Sequence, residues 1–224
     1  MSGIAARLRT LRSAIDEELA AIGREPGSVT LVGVSKRQPV AAIVEAVAAG
    51  LADIGESYLQ EAREKLPRLP PVRKHFIGHL QTNKAKGVAA AFDVVQSVDR
   101  APAGIALSKA AVELGKSLPV LLQLNVSPGE RFGCMPHEAP RLAELLRGQA
   151  GLRLEGVMAI GPVDGDRDAI SRAFDLAAKT LELIGGSTLS IGMSGDWQEA
   201  LRAGSTMVRV GEALFGPRTD GRHP

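Results

Sequence analysis

Lys36, Arg209 and two glycine-bearing segments, Ser194-Gly195-Asp196 and Gly211-Glu212-Ala213, carry the chemistry this chain can offer. Lys36 ends an apolar run, Val29-Thr-Leu-Val-Gly-Val-Ser-Lys36, which reads as a buried strand. Its last side chain therefore emerges where a strand meets a loop. A lysine partly desolvated there loses some preference for its charged form, and its neutral amine is a nucleophile for carbonyl compounds. Arg209 lies inside or at the end of another apolar run, a costly place for a cation without a partner. Ser194-Gly195-Asp196, preceded by Met193, opens a helical stretch. Its hydroxyl, its small glycine and the free amides of a helix start suit an anion. Gly211 heads a second set of amides.

These groups matter only if the fold brings them together. Short apolar or β-branched runs occupy residues 29–34, 52–55, 75–78, 93–98, 119–125, 152–160, 188–192 and 206–210. Stretches with helical spacing lie between them, at 40–49, 59–66, 101–114, 139–146, 168–183 and 197–203. Strands alternating with helices imply parallel pairing with right-handed crossovers. About eight strands close a (β/α)8 barrel of the TIM type, and in such barrels the rim at the strand ends is the chemical face. An open doubly wound sheet is the alternative, but no Gly-rich dinucleotide turn follows the first strand. An amphipathic helix at 4–21, within an N-terminal segment 1–25, precedes strand one. No linker divides the chain, so residues 1–224 read as one domain with no second domain, ending in a frayed tail at about 217–224.

Composition narrows the function classes. With 45% apolar and 23% charged residues, the chain has the make-up of a soluble globular protein. The net charge of +2 gives no reason to expect nucleic acid or an anionic membrane as partner. Cys134 is the only cysteine, which excludes an internal disulfide and any multi-cysteine zinc site. No apolar run is long enough for a signal peptide core or a membrane span, so the cytoplasm is the expected location.

In the barrel reading, Lys36, the loops after strands seven and eight, and Arg209 face one mouth. Barrels frequently bind phosphate with those two loops. A ligand with a carbonyl for Lys36, a phosphate for the loops and an acceptor for Arg209 satisfies all three. Pyridoxal 5′-phosphate (PLP) is such a ligand: imine at Lys36, phosphate in the cup, ring nitrogen facing Arg209. An arginine there keeps the nitrogen unprotonated and weakens the ring as an electron sink.

The segments Val34-Ser35-Lys36, Gly55-Glu56-Ser57-Tyr58-Leu59-Gln60-Glu61, His75 through Lys84, Gly156 through Ile160, Gly192-Met193-Ser194-Gly195-Asp196 and Ala203 through Gly211 extend over nearly the whole chain. Together they resemble the YggS/PROSC family of pyridoxal phosphate homeostasis proteins, which looks like the alanine racemase barrel without its second domain. The resemblance implies that Lys36 carries the cofactor. It also implies that Ser194, Gly195 and Gly211 hold the phosphate, with Met193 beside them, and that Arg209 meets the ring nitrogen. Two positions depart from the family pattern. Ser57 stands where the family usually has asparagine, which shortens a side chain near the ring. Arg131 stands where the family often has lysine, so an accessory site there would bind without an imine.

Plainer readings compete at each residue. Arg209 could form a structural ion pair with Glu56 or Glu212, and Ser194 could merely cap a helix. His75 and His79 read as core or loop histidines rather than metal ligands, and Cys134 as inert. The expected function is a PLP-binding homeostasis protein that holds the cofactor without substrate turnover and passes it to PLP-dependent apoenzymes. The alternative is a PLP-dependent amino-acid racemase. That reaction needs a base on each face of the planar intermediate, yet the only tyrosine is Tyr58, beside the strand-two exit. The missing second domain leaves a monomer as the expected state.

Overall fold

The computed structural model describes residues 3–127, 132–162 and 165–216. Eight parallel strands form a closed barrel in sequence order: β1 Thr30–Val34, β2 Asp53–Glu56, β3 Arg73–Phe76, β4 Val94–Val98, β5 Leu118–Leu124, β6 Leu152–Ala159, β7 Thr188–Ser190 and β8 Met207–Val210. Every residue of β4 and β5 is buried, as parallel strands covered on both faces require. The expected (β/α)8 barrel is the fold.

The outer ring is α2 Val40–Ala48, α3 Leu59–Lys65, α4 Ala85–Ala91, α5 Ala101–Glu113, α6 Ala139–Arg147, α7 Arg167–Ile184, α8 Trp197–Arg202 and α9 Glu212–Phe215. The helix after β8 is only four residues long. The amphipathic segment before β1, α1 Ile4–Ala21, packs against α9, α2 and α8 and completes the cover there. Its buried residues Ile4, Leu8, Leu11, Ile15 and Leu19 recur at three- and four-residue steps, which places them on one helix face. Arg7 ties α1 to α9 by donating to Leu214 O at 2.8 Å and Phe215 O at 3.0 Å.

Register decides which side chains enter the barrel. Val32 is paired with Asp53 on one side and with Arg209 on the other. In a parallel pair such neighbours point the same way, and alternation puts Val34 on the same inner face. The ladder runs one residue past β1, because Ser35 N donates to Gly55 O at 2.9 Å. Lys36 is therefore the next inward position, at the mouth, while Ser35 faces the helices.

Candidate functional site

The turn that carries Lys36 is held from outside the barrel. Gln38 N donates to Ser35 O at 3.0 Å, closing a turn over Lys36 and Arg37. Arg37 has φ +61°, a left-handed conformation that costs a residue with a side chain about 1 kcal/mol. Its N–H is bound to Glu61 Oε1 at 2.6 Å. Lys65 reaches up from α3 to Ser35 O at 3.0 Å and also pairs with Glu61. Glu56, at the end of β2, accepts from Ser35 Oγ at 2.7 Å. Burial pushes the Glu56 carboxyl above its usual range, against the Ser35 hydrogen bond and the charge of Lys65. Lys36 itself is half-buried and lines an open cleft with Val34, Gln38, Gly211, Glu212 and Gly216. Gly211 was expected to share a site with Lys36, and the two residues stand on that one cleft.

Arg209 is 4% exposed and does not pair with Glu56 or Glu212. Its guanidinium donates through Nη1 to Ser190 O and Ser190 Oγ, both at 2.7 Å, and through Nη2 to Ala159 O at 2.9 Å. Burial pulls its pKa down to about 10, with Asp196 acting in the opposite direction, so the side chain stays a cation at neutral pH. These bonds also stitch a thin seam. β7 and β8 share a single paired position, Ser190 with Met207, and the Arg209 side chain bridges β6, β7 and β8 below the mouth.

The loop after β7 forms a tight turn. Met193 N donates to Asp196 Oδ1 at 2.5 Å, and Asp196 N returns a bond to Met193 O at 3.3 Å. The helix starts at Trp197, where the helical spacing begins, and the Asp196 carboxylate does not cap it. Burial raises the Asp196 carboxyl, while the Met193 amide and Arg209 hold it down. Met193 thus commits its amide inside the turn. Ser194 and Gly195 form the exposed tip. A Cβ on Gly195 would meet no atom within 4 Å, so open space lies beside that backbone. Gly192 is different: its φ is +94°, and a Cβ would lie 2.6 Å from Ala200 Cβ, so the chain can fold back there only as glycine.

Ser57 is half-buried at the β2 exit, and its carbonyl is packed against Gly78. Tyr58 precedes α3 and is about half exposed. His75 is fully buried inside the barrel. His79 stands at the β3 exit, its ring stacked on Phe132 with centroids 3.8 Å apart, and burial lowers its pKa. Among the described residues no group of three or more His, Cys, Asp or Glu could hold a metal ion. Arg131 and the tail at 217–224 lie outside the described residues. Sequence reasoning missed Ser190, Lys65 and Glu61. Ser190 left one signal, a polar residue inside a short apolar run.

Residues 12–219 match the family model of the alanine racemase N-terminal domain. The pyridoxal phosphate homeostasis protein of Pseudomonas aeruginosa is 44% identical, covering 99% of this chain and 98% of that protein. The protein of the same name from Escherichia coli K12 is 36% identical over 97% of this chain and 98% of its own length. The solved structure of PipY from Synechococcus elongatus with PLP bound superposes with a TM-score of 0.83 at 35% identity, covering 95% of this chain and all of that one. An alanine racemase of Clostridium difficile shares the barrel alone, with 13% identity and 56% of its length covered. No helix among the described residues is long and apolar enough to cross a membrane. By the match over residues 12–219 and the full-length identity to these relatives, the chain belongs to the family of pyridoxal phosphate homeostasis proteins.

Proposed function

We propose that the chain binds PLP through Lys36 and serves PLP homeostasis, holding the cofactor without turning over a substrate. The observation that carries this is the register. Lys36 and Arg209 lie on one inward-facing surface of β1 and β8, and Gly211 shares a cleft with Lys36. The residues fit the group chemically. A primary amine stands half-buried at the mouth, a buried cation lies deeper, and the Ser194–Gly195 tip has open space beside it.

In this reading the Lys36 amine is the attachment point for the aldehyde. Ser194, Gly195 and Gly211 take the phosphate, with Met193 shaping the turn from within, and Ser57 contacts the ring. Arg209 faces the ring nitrogen. PLP supplies an electron sink when bound, and an arginine partner at the nitrogen weakens that sink. Lys65, Glu61 and Glu56 hold the Lys36 turn from behind, so the amine is presented at a fixed place. Tyr58, the only tyrosine in the sequence, is half exposed beside the β2 exit, and this reading gives it no role as a base. The cofactor is released to PLP-dependent apoenzymes, and the chain acts as a monomer.

Borohydride reduction of the PLP-loaded protein, followed by peptide mass mapping, tests the attachment. The cofactor mass is expected on the peptide containing Lys36. Label on another lysine, or no label, overturns the reading.

A further inference from the structure

An aliphatic filling is what a barrel core needs for stability. This barrel instead carries a line of polar side chains through its interior. It begins at Asp53, the first residue of β2, at the end of the barrel away from the mouth. Asp53 Oδ1 lies 2.9 Å from His75 Nε2, and His75 Nδ1 lies 2.9 Å from Gln96 Nε2. Gln96 Oε1 is 2.7 Å from Ser190 Oγ, which is 2.7 Å from Arg209 Nη1. His75, Gln96 and Ser190 are fully buried.

Its two ends fix the role of each member. A guanidinium only donates, so Ser190 accepts from Arg209 and has its own proton left for Gln96 Oε1. The Gln96 amide is thereby oriented with its NH2 toward His75. Nδ1 of His75 must then accept, and the ring proton sits on Nε2, facing the Asp53 carboxylate. Each group gives to the next from cation to carboxylate, and no lone pair opposes another. Such a line polarises along its length and tolerates few arrangements. Stability alone does not call for it, since buried ionic networks replaced by well-packed apolar side chains are often neutral or more stable.

We infer that Gln96, His75 and Asp53 are positioning residues for Arg209. They hold the Ser190 hydroxyl with its lone pair toward the guanidinium, and so set the orientation in which Arg209 meets a bound ring. This rests on the reading of Arg209 as the partner of the PLP ring nitrogen.

The test compares Gln96→Leu, Ser190→Ala and Arg209→Lys for PLP dissociation constant, absorption band of bound PLP and melting of the PLP-free protein. Arg209→Lys is expected to shift the band. Gln96→Leu is expected to shift it in the same direction and to weaken PLP binding on the order of tenfold, with melting of the PLP-free protein lowered, because His75 Nδ1 and the Ser190 hydroxyl stay buried without that partner. Ser190→Ala removes one oxygen and keeps the carbonyl bond to Arg209, so it gives the same reading if Gln96→Leu does not fold. Wild-type bands and affinities in both Gln96→Leu and Ser190→Ala, beside a shifted band in Arg209→Lys, overturn the positioning role alone. A wild-type band in Arg209→Lys overturns the ring-nitrogen reading, and the positioning role with it.

Discussion

Lys36 and Arg209 share one inward-facing surface: Arg209 is paired with Val32 across β1 and β8, and Lys36 follows Val32 by four positions toward the mouth. Neither residue is informative alone. A lysine at a strand end is commonplace, and a buried arginine can serve as a structural tie. Register converts them into a pair, with the cation deep and the amine at the rim. It also gives Arg209 two duties, because the hydrogen bonds that orient it also close the seam between β6, β7 and β8.

That second duty predicts a stability loss independent of ligand. Arg209→Ala leaves Ala159 O and Ser190 O without their guanidinium partner inside the barrel. Losing these charged hydrogen bonds is expected to cost about 2–3 kcal/mol, a fall of roughly 5–10 °C in melting temperature for a chain of this size. Calorimetry of the PLP-free protein checks it. An unchanged melting temperature would mean that the seam is held without Arg209.

Two glycines at the mouth should respond oppositely to the same substitution. A Cβ on Gly78 would stand 1.9 Å from Ser57 O, a backbone atom with little room to move. Gly78→Ala is expected to cost upward of about 3 kcal/mol, visible as poor folding or a much lower denaturant midpoint. A Cβ on Gly195 would enter open space. Gly195→Ala should therefore fold as wild-type yet bind PLP about tenfold more weakly by crowding an anion hydrogen bond. Equal affinity measured by fluorescence titration would move the phosphate elsewhere.

Glu56 gives a pH signature. Its folded-state pKa is raised, chiefly by burial, so ionising it costs more in the folded protein than in the unfolded chain. The stability it contributes is present below the ordinary carboxylate value of 4.5 and is lost as pH rises through the raised value. A glutamine side chain at this position would keep an acceptor for Ser35 and never ionise, so Glu56→Gln should be more stable than wild-type at neutral pH. The difference should vanish as pH falls below about 4.5. Urea midpoints at several pH values measure it; a gap that persists in acid would assign the effect to packing instead.

Much of this is legible from the chain. All eight strands fall at or beside an expected run, and β4 and β5 show why: strands buried on both faces leave an unbroken apolar signature. β3 is the exception, an Arg-Lys-His-Phe segment at 73–76 that starts two residues before the expected 75–78, because its first two residues lie at the exposed end of the strand. The helix Ala85–Ala91 leaves no such mark, since AKGVAAA is mostly alanine and shows no periodic face. The short α9 has no periodicity to read. Lys36 and Arg209 stand out because a charge at the end of an apolar run is conspicuous. Their partners do not, because Ser190 and Gln96 are contributed by β7 and β4, far apart in sequence, and only barrel closure brings them together. A buried arginine directs attention to carboxylates as partners. Backbone carbonyls of Ser190 and Ala159 supply most of its bonds, and a sequence carries no mark of which carbonyls will face inward.

Cys134 offers the last check, on the loop that follows β5. Its backbone is locked to the strand end, Cys134 N donating to Gln123 O and Asn125 N to Cys134 O, both at 2.9 Å. The residue is 7% exposed, and burial pushes its thiol up to about 12, with the charges of Glu138 and Asp99 adding to the effect. The thiolate is the reactive form, and at pH 8 only about one thiol in ten thousand would be ionised at such a pKa. The folded protein should therefore fail to react with a disulfide reagent at pH 8 over minutes. In denaturant, one equivalent per chain should react at once, since this is the only cysteine. Rapid reaction of the native protein would show that the segment around Cys134 opens from the strand end, and with it the rim that Phe132 and His79 form by stacking.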